Sequence, residues 1–140
     1  MSIEEENKAC IRIIAEEVFN KGNLAVVDEH IAANWVYLGP AGDYKGTEGF
    51  KQMVSGMRTI FPDIHFTVDD MIGEGNKLAV RYTWTGTFKG KFGDIEPTGK
   101  QVKVSFAYFY RFEDGKEAEV MGFGDTLSLY QQMDISPPGQ

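Results

Sequence analysis

One strand-like run in this chain ends in a single carboxylate. It reads Glu117-Ala118-Glu119-Val120-Met121-Gly122-Phe123-Gly124-Asp125. In strand phase Asp125 shares a face with Met121 and Phe123, and with Glu119 and Glu117 nearer the preceding turn. A carboxyl set among apolar walls pays desolvation, which raises its pKa and suits it to carrying protons near neutrality. Asp125 also directly precedes Thr126 and a helical pattern, where an aspartate serves as an N-terminal cap. Both roles fit its position.

Aromatic residues supply the candidate partners. Tyr108 and Tyr110 share a face with Phe106 and Phe112, and Tyr37 shares one with Trp35. A phenol or indole facing a pocket can donate a hydrogen bond to a carbonyl that becomes enolate-like. The same rings favour strands and pack there without any chemistry. Arg81 lies mid-strand: turned inward it needs a carboxylate or an anionic ligand, turned outward it is an ordinary solvated residue. His30 falls among apolar neighbours in a helical pattern and reads as packed. His65 alternates with Ile64 and Phe66 and reads as exposed or bonded across a sheet.

Other chemistries find no pattern here. No histidine or cysteine spacing suits a metal, and the glycines at 86, 90 and 93 lie in a hairpin-like connection rather than a dinucleotide motif. The sequence therefore points to no cofactor and no metal. Cys10 is the single cysteine, so no internal disulfide can form. A net charge of −7 argues against a nucleic-acid backbone as partner, since phosphate contacts need a positive field. The acidic start lacks the pattern of a signal peptide, and no apolar run approaches the ~20 residues of a membrane span. A cytoplasmic protein with no membrane partner is expected.

The elements that must position these residues follow from periodicity. Ser2 with Glu5 resembles a capping box before the apolar face Ala9, Ile11, Ile14, Ala15, Val18 and Phe19. Lys21-Gly22-Asn23 stops that helix and starts a second, expected to run to about Ala33. A short strand is expected over 34–38 and a helix over 47–60, broken at Phe61-Pro62-Asp63. The period then changes to two: strands are expected over 64–71, 77–88, 101–112 and 117–125, with a short helical pattern through Leu127, Tyr130 and Met133. Helices followed by a strand meander predict an α+β chain, a curved sheet with helices against one face. One domain is expected over 1–135, with a frayed tail over 136–140.

The pieces Glu17–Asn23, Gly46–Phe50, Phe61–Asp63, Trp84–Thr87, Pro97–Lys100, Phe112–Lys116 and Asp125 together resemble the SnoaL-like polyketide cyclases. These are also called ester cyclases and belong to the nuclear transport factor 2-like superfamily. The likeness runs from Ile11 to Met133. It implies a cone-shaped α+β barrel, a strongly curved, mostly antiparallel sheet packed on N-terminal helices around a central cavity. It also implies cofactor-free ring closure by intramolecular aldol condensation, with an acidic residue near the end of the last strand; Asp125 matches that position. The wider superfamily includes isomerases, epoxide hydrolases and non-catalytic binding domains, and its members are often dimers through the outer sheet face. This chain departs from the pattern at Leu38, where relatives commonly carry a histidine. It departs again at Met121 and Gly124, usually tryptophans, and at Phe106 and Tyr108, where small or acidic groups are frequent.

The combined expectation is acid/base chemistry, of cyclase or isomerase type, on a small hydrophobic carbonyl compound of aromatic or polyketide-like kind. Asp125 would move the proton, assisted by Tyr108 or Tyr37. Trp35, Phe106, Met121, Phe123 and Arg81 would line the ligand pocket. One alternative is a non-catalytic domain binding a small hydrophobic ligand. A second is epoxide hydrolase-like water addition through Arg81 and Asp125. A homodimer is expected.

Overall fold

The computed structural model describes residues 1–40 and 42–137. Ala41, in the expected break after the first strand, and most of the expected frayed tail lie outside the described residues. Helix α1 (Ile3–Ile13) starts as the sequence implies, with Ser2 Oγ accepting from the Glu5 amide at 3.1 Å and acids at 4, 5 and 6 in the first turn. The helix then widens into a π-helical stretch, Ile14–Asn20. A short 3-10 turn (Leu24–Val26), capped by Asn23, leads into α2 (Val27–His30). The second helix ends earlier than its pattern suggests, because Ile31 already pairs with Glu117 in strand β1 (Ile31–Leu38). Helix α3 (Gly46–Ile60) is followed by β2 (His65–Glu74), β3 (Lys77–Thr87), β4 (Gln101–Glu113), β5 (Lys116–Gly124) and α4 (Thr126–Met133).

The five strands form one sheet in the order β1-β5-β4-β3-β2. Strands β2 to β5 make the expected antiparallel meander, and β1 joins parallel to β5. The α+β class holds, but the cone-shaped barrel does not. The sheet is mixed and open, neither closed into a barrel nor strongly curled. Each edge strand is partly covered by other parts of the chain. At β2, the Asn20 side chain accepts from the Phe66 amide at 2.7 Å and donates to its carbonyl at 3.0 Å, as a neighbouring strand would. At β1, the Tyr37 amide donates to the Tyr44 carbonyl at 3.0 Å.

The inner face buries Phe66, Val80, Tyr82, Trp84, Val104 and Phe112 against Ile11, Ile14 and Val18 of the first helix and Phe50 and Val54 of α3. The outer face leaves Phe109, Met121 and Phe123 in solvent. Among the described residues, no helix is long and apolar enough to cross a membrane.

Candidate active site

The site begins with an irregularity in one strand. Along β4 and β5, Arg111 lies opposite Glu119 while the next residue, Phe112, lies opposite Glu117. Ala118 is the extra residue of a β-bulge. The bulge breaks the alternation, so Glu117 faces inward with Val120, while Glu119, Met121 and Phe123 take the other face. Glu117 is only 2% exposed.

The Trp35 indole N–H donates to Glu117 Oε2 at 2.7 Å. Burial pushes the Glu117 carboxyl up to about 8, with the Trp35 hydrogen bond pulling the other way. Across the floor, the hydroxyls of Tyr82 and Tyr110 lie 2.8 Å apart. Burial raises both phenols, and Tyr108 with them, well above their ordinary value. They therefore stay protonated at neutral pH. One proton of the Tyr82–Tyr110 pair is shared between them, which leaves the second available as a donor.

These groups open onto a cavity of about 260 Å³ between the sheet, α3 and α4. Its wall is mostly aromatic and apolar, including Phe19, Phe50, Phe66, Trp84 and Phe106, and no Lys, Arg or His lines it among the described residues. Phe92 of the β3–β4 connection packs on Tyr130 of α4 near the rim, with ring centroids 6.0 Å apart. Two glycines of β5 make room for the wall. A Cβ at Gly122 would stand 2.6 Å from Tyr108, and one at Gly124 would collide with the Phe106 ring. Tyr108 and Phe106 lie stacked over these positions, 6.1 Å apart.

The residues expected from sequence divide into two groups. Tyr37, Phe106 and Tyr108 line the cavity. Trp35 is fully buried and reaches Glu117 from behind the wall. Asp125 is exposed, does not line the cavity, and accepts from the Ser128 amide at 2.9 Å as the cap of α4. Met121 and Phe123 are exposed, Phe123 meeting Phe109 edge-on. Arg81 is exposed and lies 3.4 Å from Asp69. His65 is exposed, and His30 stands 3.8 Å from the Cys10 thiol. No group of three His, Cys, Asp or Glu side chains gathers for a metal among the described residues.

Sequence reasoning missed Glu117 as a site residue, and Tyr82 and Tyr110 as a pair. Strand phase assigned Glu117 to the face of Glu119, and only the bulge separates them. Tyr82 carried a weak signal, its alternation with Leu78, Val80 and Trp84.

Comparison with known proteins agrees with the fold. Residues 9–133 match the family model of the SnoaL-like polyketide cyclases. The chain is similar in structure to a candidate SnoaL-like polyketide cyclase from Jannaschia sp. CCS1, at 21% identity and a TM-score of 0.88 over 98% of this chain and 97% of that one. It is similar to a candidate polyketide cyclase from Acidithiobacillus ferrooxidans, at 29% identity and a TM-score of 0.81 over 96% and 98% of the two chains. It is also similar to IdmH, a candidate polyketide cyclase from Streptomyces antibioticus, at 27% identity and a TM-score of 0.79 over 92% and 99%. No curated protein matches the chain.

Proposed function

The chain belongs to the SnoaL-like polyketide cyclase family, and from that premise we propose an acid/base enzyme acting on a small hydrophobic carbonyl compound, with Glu117 as the proton carrier. The observation that carries this reading is a buried carboxyl, raised to about 8, beside a neutral hydroxyl pair in an aromatic cavity. Ionised Glu117 removes the proton alpha to the carbonyl. The free hydroxyl proton of the Tyr82–Tyr110 pair stabilises the enolate oxygen as charge develops. The enolate then attacks within the same molecule or regains its proton at another carbon. A carboxyl and phenols perform these steps by themselves, so no cofactor is called on.

The cavity volume lies just below the ~300–1,000 Å³ typical of ligand sites, which favours a compound of one or two rings. With no Lys, Arg or His in its wall among the described residues, the cavity favours an uncharged ligand, and its aromatic lining favours one of aromatic or polyketide-like kind. Asp125, capping α4 outside the cavity, is assigned a structural role in this reading. Arg81 on the exposed face lends no support to epoxide hydration.

Incubation with small aryl ketones in D2O, followed by proton NMR, tests the proposal. Wild-type protein is expected to exchange the alpha protons of one or more of them. Glu117→Gln is expected to lose at least about 100-fold in rate while retaining the ligand, and Asp125→Asn to stay within a few-fold of wild type. Undiminished exchange in Glu117→Gln refutes the assignment. Saturable binding without exchange by the wild type identifies a hydrophobic ligand-binding domain instead.

The same reading includes a homodimer through the outer sheet face. Leu38, Met121, Phe109 and Ala79 lie in register across adjacent strands, and Ile72 of β2 continues the row. Phe109 and Phe123 are 53% and 54% exposed, and together these side chains make an apolar patch suited to pairing with its own copy. Phe109→Glu is expected to halve the mass measured by light scattering; an unchanged mass rules this face out. The reducing cytoplasm is the compartment proposed, on the free thiol of Cys10.

A further inference from the structure

We propose that Trp35 is the positioning residue of this site: its indole N–H holds one oxygen of the Glu117 carboxyl and leaves the other to the cavity. The proposal rests on the reading of Glu117 as proton carrier. Trp35 is fully buried and does not line the cavity, so it acts on a ligand through its neighbours, and Glu117 is the one it hydrogen-bonds. Its N–H lies 2.7 Å from Glu117 Oε2. The ring is fixed by an edge contact with Phe50 at 5.0 Å and by Tyr37 at 6.4 Å. The parallel pairing of β1 with β5 brings the two residues together. Ile31 lies opposite Glu117 and Val36 opposite Glu119, and the irregular stretch between Ile31 and Val36 carries Trp35.

A hydrogen bond donated to a carboxyl favours its ionised form. Trp35 therefore opposes the burial that keeps Glu117 protonated, besides fixing its rotation. Its N–H is a side-chain donor to Glu117. The other titratable groups that interact with Glu117 are the Cys10 thiol of α1, Tyr82 of β3 and Tyr110 of β4, and Tyr108 of β4 lines the same cavity. The thiol is pushed up to about 12 and the phenols are raised, so all four stay neutral while Glu117 titrates. His30 of α2 stands behind Cys10, at 3.8 Å from its sulfur.

The test reads Glu117 directly. Protein carrying glutamate labelled with carbon-13 at the carboxyl is titrated by NMR, with Glu117→Gln identifying the resonance. The wild-type midpoint is expected near 8. Trp35→Phe is expected to raise it by about one pH unit. Because phenylalanine leaves space in the core, a second variant replaces Trp35 with 3-benzothienylalanine, whose sulfur stands where the N–H was and whose shape is nearly unchanged. The same upward shift is expected there. An unchanged or lower midpoint in the folded benzothienyl variant overturns the assignment. This midpoint needs no substrate, so it stands or falls separately from the ketone exchange that tests the enzyme reading. Where exchange is observed, its pH profile is expected to move upward with the midpoint.

Discussion

Glu117 gives the protein a pH-dependent stability with a defined sign. In the unfolded chain its carboxyl titrates near 4.5; in the folded protein it titrates near 8. Between these values the native state holds a proton that the unfolded state has released. Stability therefore falls as pH rises from about 4.5 to about 8, and levels off above that. At about 1.36 kcal/mol per pH unit, the gap amounts to about 5 kcal/mol, a large part of the roughly 5–15 kcal/mol that holds a domain together. Glu117→Gln removes the titration and keeps an oxygen to accept from Trp35. Urea unfolding of both proteins at several pH values from 5 to 9 isolates the effect, because every other group is common to the two. The wild type is expected to lose several kcal/mol relative to the variant across that range. Parallel profiles would show that Glu117 ionises normally in the folded protein, and the argument from its burial would fail.

Three further outcomes test the surrounding geometry. Asp125→Ala removes the cap of α4 and is expected to cost about 1 kcal/mol in denaturant unfolding, whereas Asp125→Asn, an equally good cap, is expected to be near neutral. Gly122→Ala places a Cβ against Tyr108; it is expected to cost about 1–3 kcal/mol and to weaken binding of any ligand that reaches the floor of the cavity. Asn20→Ala strips the edge of β2 of both hydrogen bonds to Phe66, one end of which is partly buried. It is expected to cost about 1–3 kcal/mol and to speed amide exchange at Phe66 in particular.

Much of the architecture is readable from local pattern because its causes are local. Ser2 and Glu5 start α1 as a cap should, Phe61-Pro62-Asp63 ends α3, and the alternation through Leu78, Val80, Tyr82 and Trp84 marks the buried face of β3. Asp125 caps α4, one of the two roles its position allowed. The residues Ile31 to Ala33 look like the end of a helix. They form a strand because Ile31 pairs with Glu117 of β5, a partner more than eighty positions away in the chain. The expected barrel fails for a similar reason. Asn20 bonds the edge strand β2 at Phe66 and the segment before α3 bonds β1 at Tyr37, and neither arrangement is visible in hydrophobic periodicity.

The site itself divides along the same line. Residue types and periods alone determine that this chain has an aromatic inner sheet face, no lysine-rich or cysteine-rich site, and carboxylates along its last strand. They do not determine which carboxylate is buried. Strict alternation groups Glu117 with Met121, Phe123 and Asp125. One extra residue, Ala118, reverses that parity and turns Glu117 toward Trp35 and the tyrosine pair, while Met121 and Phe123 stay in solvent. A bulge is set by pairing between β4 and β5 rather than by the composition of either strand. Periodicity therefore supplied the family of candidate residues, and only the tertiary pairing decided which of them meets the cavity.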